Sequence, residues 1–192
     1  MTPAVFLDRD GTLIEEVGYL DRLDRLELFP WSVDAVRLLN RAGFRVVVVT
    51  NQAGVARGFF DERFVAETHR LLEEKLAAGG ARIDGYYYCP HHPDAPLEAY
   101  RVKCGCRKPQ PGMIRSAAKD LGIDVARSFV VGDRWLDMEL AHASGATGIL
   151  VRTGYGQTQA SKPPPPDGIR AAAVVDNLIE ATTWILRQNG ER

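Results

Sequence analysis

Cysteine is scarce in this sequence: three residues among 192, all between positions 89 and 106. An odd number cannot all pair, so a disulfide framework is not expected to organise the fold. An excess of one charge is also missing. Twenty-four basic and 25 acidic residues leave a formal net charge of −1, giving no reason to expect attachment to nucleic acid or to an anionic membrane. No apolar run approaches the roughly 20 residues that cross a bilayer. The first residues, MTPAVFLDRD, lack the basic start and apolar stretch of a signal peptide, so a cytoplasmic, reducing setting is expected. Internal repeats are absent. The one low-complexity segment, SKPPPPDG at 161–168, reads as an exposed polyproline spacer.

What is present is ordinary in amount, with 45% hydrophobic and 26% charged residues, and informative in order. The length suits a single domain, 1–192. Runs of branched apolar residues recur at 4–7, 44–50, 128–133, 147–152 and 171–175. They are continuous rather than alternating, which suits parallel strands covered on both faces. Helical patterns fall between them. Asp61 caps one whose apolar stripe is Phe64, Thr68, Leu71, Leu72 and Leu76, another starts at Pro111 and stops at Gly122, and others begin near Trp135 and Asn177. The alternation predicts an α/β fold built on a central parallel sheet.

In such sheets ligands bind beyond the carboxyl ends of the strands, and four of those places or their neighbouring loops carry reactive residues. The first strand runs into Asp8 and Asp10, two positions apart. The second ends on Thr50 and Asn51 before a glycine-punctuated turn suited to phosphate oxygens. A later strand ends on Asp133, with Asp137 four residues on, and a third acid beside Asp8 and Asp10 makes a hard oxygen set of the kind Mg2+ takes. Lys108 precedes a proline-led helix start, where an ammonium can neutralise a phosphate and the carboxylate attacking it. Singly, each has a plainer reading: an acidic turn, a turn dipeptide, a solvated lysine, a helix cap. A calcium loop is excluded because its later acidic positions are missing. Together and in order, they make a catalytic set.

The segments DRDGT, VVTNQ, RKP and GDRWLD resemble the four motifs of the haloacid dehalogenase-like (HAD) phosphatases over nearly the whole chain. Within that superfamily GYL, TNQAGVARG, YYYCPHHP and CGCRKPQPGM resemble the heptose bisphosphate phosphatases. The histidinol-phosphate phosphatases, with a similar zinc loop, form the neighbouring group. The resemblance implies a three-layer Rossmann-like fold without a large cap domain and with a zinc-binding loop insertion at about 86–110. It implies Asp8 as nucleophile, Asp10 as acid and base, Thr50 and Lys108 as holders of the transferring group, and catalytic Mg2+ on Asp8, the Asp10 carbonyl and Asp133. Substrate contacts are implied at Asp8, Asp10, Glu16, Val17, Gly18, Tyr19, Thr50, Asn51, Gln52, Ala53, Arg107, Lys108 and Arg134. Arg134 stands where those enzymes carry lysine, a planar fork in place of a point charge.

Cys89, His91, Cys104 and Cys106 supply three sulfurs and a nitrogen, a closed set for structural Zn2+, with His92 as an alternative ligand and free thiols or one disulfide as competing readings. The expected activity is removal of the 7-phosphate from a heptose 1,7-bisphosphate by a monomeric enzyme whose partner is a small phosphorylated sugar. A histidinol-phosphate or other small phosphomonoester phosphatase is the alternative, and a zinc-stabilised module without catalysis a remote one.

Overall fold

The structure, a computed structural model, describes residues 1–166 and 168–190. Asp167, within the 161–168 segment, lies outside the described residues. Six strands form one sheet: β1 (Ala4–Leu7), β2 (Arg45–Asn51), β3 (Gly85–Cys89), β4 (Phe129–Gly132), β5 (Thr147–Val151) and β6 (Ala173–Val175). Their order is β3-β2-β1-β4-β5-β6, and every pair is parallel. This is the doubly wound arrangement, whose reversal of direction between β1 and β4 opens a crevice at the strand ends.

The sequence explains the layers. Side chains alternate across a strand. Val5, Leu7, Val46, Val48 and Val131 face one core, shared with α1 (Ser32–Arg41), α3 (Glu62–Ala78) and α7 (Leu178–Gly190). Ala4, Phe6, Val47, Val49 and Val130 face the other, packed by α4 (Gly112–Leu121) and α5 (Trp135–Ser144). Both faces are covered, which is why these strands are apolar at every position rather than every second one. Between β2 and α4 the described residues form only α2 (Ala53–Ala56), α3, β3 and a short 3-10 turn, with no cap body. The remaining helix, α6 (Gly156–Ala160), follows β5. Among the described residues no helix is long and apolar enough to cross a membrane.

Three details depart from the sequence reading. Residues 86–89, expected within the zinc loop, instead form β3, each paired with β2. Their tyrosines sit half-buried at a sheet edge, so no apolar run marks them. The buried stripe of α3 is Val65, Thr68, His69, Leu72 and Leu76, one position off the predicted stripe at its start, and Phe64 and Leu71 are only half-buried. Helix α1 was not anticipated, although its buried Ala35, Val36 and Leu39 have helical spacing.

Candidate active site and metal cluster

The cleft at the strand ends is assembled by backbone first. The Asp8 N–H donates to the Val131 carbonyl at 2.9 Å, carrying the β1–β4 pairing one residue beyond the strand. Gly11, at φ +80, turns the chain beside Asp133, where an added Cβ would lie 2.3 Å from Asp133 Oδ2. Gly154, from the loop after β5, packs against Gly11 and approaches the same oxygen with the same clearance. Two glycines thus make room for one carboxylate.

Asp8, Asp133 and Asp137 are all buried, and oxygens from the three lie within 4.8 Å of one another. Lys108 reaches them from beyond β3. Its Nζ lies 2.9 Å from Asp8 Oδ1 and 2.7 Å from Asp137 Oδ1, and it donates to the Val49 carbonyl at 3.3 Å. Asn51 holds the base of that side chain, its Oδ1 accepting from the Lys108 N–H at 3.0 Å. The Lys108–Pro109 peptide is cis. Burial works against the Lys108 charge, but Asp137 and Asp8 outweigh it and raise its pKa. Burial, with Asp137 and Asp10 adding repulsion, pushes Asp8 up to about 6 against the pull of Lys108. Asp133 rises to about 8, through burial and then Asp8 and Asp137. Its Oδ2 accepts from the Tyr155 N–H at 2.7 Å, while Oδ1 is buried with no partner. An unpaired oxygen in a crowd of carboxylates is costly, and a small divalent cation is the species that relieves it.

Asp10 is different. Its carboxylate is taken up by Arg9 and Gln52 and is absent from the Asp8, Asp133 and Asp137 cluster. Thr50 is buried, its Oγ1 accepting from Gln52 Nε2 at 2.9 Å.

A cleft of about 250 Å³ opens above these groups. Glu16, Gly18, Tyr19, Asn51, Gln52, Ala53, Arg107 and Arg134 all line it, with Asp8, Asp10, Thr50 and Lys108 at its floor. Val17 does not line it. That side chain packs against the core instead. Glu16 turns inward to accept from the Gly18 N–H, and burial raises its pKa.

The second cluster lies beside the first. Sulfur–sulfur distances among Cys89, Cys104 and Cys106 run from 3.2 to 3.5 Å with no disulfide. His91 Nδ1 sits 3.5 Å from Cys106 Sγ and 3.8 Å from Cys89 Sγ. Three thiol sulfurs and an imidazole nitrogen within 4.8 Å of one another are a donor set that suits a tetrahedral metal site. His92 stands apart, its Nδ1 accepting from the Asp94 N–H. Arg107 ties this loop to the cleft by donating to the His91 carbonyl at 3.1 Å.

Known proteins match this arrangement. The HAD-hydrolase-like family model matches residues 105–181. A D-glycero-beta-D-manno-heptose-1,7-bisphosphate 7-phosphatase of Escherichia coli K12 is 45% identical over 188 residues, covering 97% of this chain and 95% of its own. The protein of that name from Photorhabdus laumondii is 43% identical over 178 residues, 92% of this chain and 91% of the relative. The chain belongs to this heptose bisphosphate phosphatase family. Among solved structures, the D,D-heptose 1,7-bisphosphate phosphatase of B. bronchiseptica, complexed with magnesium and phosphate, superposes with a TM-score of 0.85. It is 33% identical, and the match covers 97% of this chain and 99% of that one. The chain is accordingly a phosphatase, a hydrolase of phosphomonoesters.

For this phosphatase, sequence reasoning assigned no role to two residues that matter to the cleft. Arg9 lines it yet is, among the described residues, the largest fully buried side chain. Tyr155 also lines it and lies under Arg134, whose guanidinium carbon is 4.0 Å from the ring centroid. A charged residue between two aspartates was the available signal for Arg9. Tyr155 carried none, since its loop reaches the site only through the sheet order.

Proposed function

We propose that this phosphatase removes the 7-phosphate of D-glycero-D-manno-heptose 1,7-bisphosphate through an aspartyl-phosphate, serving synthesis of nucleotide-activated heptose. The observation that carries the chemistry is Lys108, buried and bridging Asp8 and Asp137 beside the unpaired Asp133 Oδ1. The names of the relatives support the substrate.

Asp8 attacks phosphorus in line, forming a phosphorus–oxygen bond as the bond to the sugar oxygen breaks. Asp10 gives its proton to that departing oxygen, then takes one from the water that hydrolyses the intermediate and frees Asp8. Lys108 and Thr50 hold the transferring group, with Asn51 fixing the lysine. Asp8, the Asp10 carbonyl and Asp133 would hold Mg2+, which offsets repulsion between carboxylate and phosphate. Cys89, His91, Cys104 and Cys106 would hold Zn2+, ordering the loop that aims Arg107 and Lys108. Arg107 and Arg134, both on the cleft wall, receive the phosphate that is not cleaved.

A phosphate-release panel tests the substrate. Heptose 1,7-bisphosphate should exceed fructose bisphosphate and histidinol phosphate in kcat/KM, and preference for either of the others sinks the assignment. Asp8→Asn should leave a folded protein with turnover reduced on the order of a thousandfold or more. Acid-quenched wild type should carry base-labile phosphate that the variant lacks.

A further inference from the structure

Arg9 presents an energetic question that the reaction steps leave unanswered. Its guanidinium is 2% exposed, and a buried cation must be paired to be tolerated. A solvated turn after β1 would need no such group. Its partners are narrowly chosen. Nε donates to Asp10 Oδ2 at 3.0 Å and Nη2 to Asp10 Oδ1 at 3.1 Å, a two-point grip on the adjacent carboxylate. Nη2 also donates to Gln52 Oε1 at 3.0 Å, and Gln52 Nε2 returns to Asp10 Oδ2 at 3.0 Å.

The chemistry of the partners fixes this ring in one sense. A guanidinium only donates and a carboxylate only accepts, so the Gln52 amide has one workable orientation. Oδ2 of Asp10 takes two donors and Oδ1 takes one. Asp10 keeps some exposure, 19% of its side chain, toward the cleft. The less occupied Oδ1 is therefore the atom free to carry a proton, and the carboxylate plane cannot rotate to exchange the two oxygens. Holding a proton donor within a narrow angle of the departing oxygen is a large part of what makes general acid catalysis effective.

We propose that Arg9 and Gln52 are positioning residues that fix the Asp10 carboxylate so that Oδ1 delivers the proton to the departing sugar oxygen. This rests on the acid–base reading of Asp10, and the two are separable by the leaving group. A sugar alkoxide must be protonated as it leaves, whereas 4-nitrophenolate departs without a proton. The relevant parameter is kcat/KM, because it ends at the first irreversible step, bond cleavage, and is not affected by the later activation of water.

The experiment compares Arg9→Lys, which keeps a charge but cannot grip two oxygens, with Gln52→Met, which keeps volume and removes the amide that donates to Asp10 and Thr50 and accepts from Arg9. With heptose 1,7-bisphosphate, kcat/KM should fall about 10- to 100-fold in both variants, while 4-nitrophenyl phosphate should lose less than about threefold. Asp10→Asn should show the same selective loss, only deeper. Equal losses on both substrates, or no loss on either, overturn the positioning role. If Arg9→Lys does not fold, as read by its melting curve, Gln52→Met decides alone, since it leaves the Arg9–Asp10 ion pair in place. If Asp10→Asn itself shows no leaving-group contrast, the acid–base reading has failed, and the positioning proposal falls with it.

Discussion

Arg107 does two things at once, and they separate experimentally. Its Nη1 holds the His91 carbonyl while the side chain lines the cleft, so it joins the cysteine loop to the substrate wall. A charge-assisted hydrogen bond to a phosphate is worth roughly 1.5–3 kcal/mol. Arg107→Ala should therefore lower kcat/KM for the bisphosphate by about ten- to over a hundredfold and leave a small aryl phosphate far less affected. Unchanged zinc content in the purified variant would show that the loss lies in the cleft and not in the loop. Equal losses on both substrates would assign Arg107 to the general machinery. Arg134, with its guanidinium laid on the Tyr155 ring, is held differently from an ammonium at that position, because a planar cation can stack and still present N–H groups.

At the scale of elements, polar side chains tie α3 and β3 to the cysteine loop. The Glu62 carboxylate accepts from Tyr88 of β3 at 2.7 Å and from Tyr100 of the loop at 2.9 Å, bridging all three. The loop has few buried apolar residues, so its order should depend on metal. Cys104→Ser, or treatment with a zinc chelator, should lower the melting temperature by several degrees and raise protease sensitivity within 90–107. Purified protein without zinc by elemental analysis would refute this.

Helix α3 also brings His69 against the Tyr86 ring, with centroids 4.8 Å apart, and its Nε2 is buried without a partner. Burial, helped by Arg9, lowers its pKa from 6.5 to about 3. Between those values the unfolded chain binds one more proton than the folded one. Each unit fall in pH through that window then favours unfolding by at most about 1.4 kcal/mol, and above it the effect vanishes. His69→Phe keeps the stack and removes the proton. Its stability relative to wild type should rise by roughly 2 kcal/mol between pH 7 and pH 4.5 in urea unfolding, and a constant difference would disprove the linkage.

For the whole molecule, the sheet order makes the site. Asp8, Asp133 and Gly154 come from β1, β4 and the loop after β5, adjacent in the sheet and far apart in the chain. Their convergence concentrates negative charge that Lys108 offsets by pairing with Asp8 and Asp137. A ligand that binds the folded state alone stabilises it by mass action. Millimolar Mg2+ should raise the melting temperature of metal-depleted protein, and Asp133→Asn should abolish that rise. A rise of the same size in Asp133→Asn would place the ion elsewhere.

The sequence by itself determined five strands of the sheet: four are buried on both faces and so must be apolar at nearly every position, and the edge strand β6 showed as a short apolar run although Val174 is exposed. It also marked Asp8, Asp10, Thr50, Lys108 and Asp133, since each stands at a strand end or loop where its residue type has a stated chemical use. The three cysteines of the cluster were legible because no others exist in the chain, while the choice of His91 over the adjacent His92 came from the family resemblance. Only the tertiary structure decided the rest. Strand β3 is an edge strand of tyrosines, defined by its pairing with β2 and not by its own pattern. Val17 sits within a motif that lines the cleft but turns into the core, a choice made by packing and not by sequence position. Arg9 and Tyr155 acquire their places from groups 43 and 21 residues away, Gln52 and Arg134. Local pattern specifies which elements form and which ends they present. Which side chains meet across those ends depends on the order in which the strands lie side by side, because that order brings distant loops within hydrogen-bonding reach.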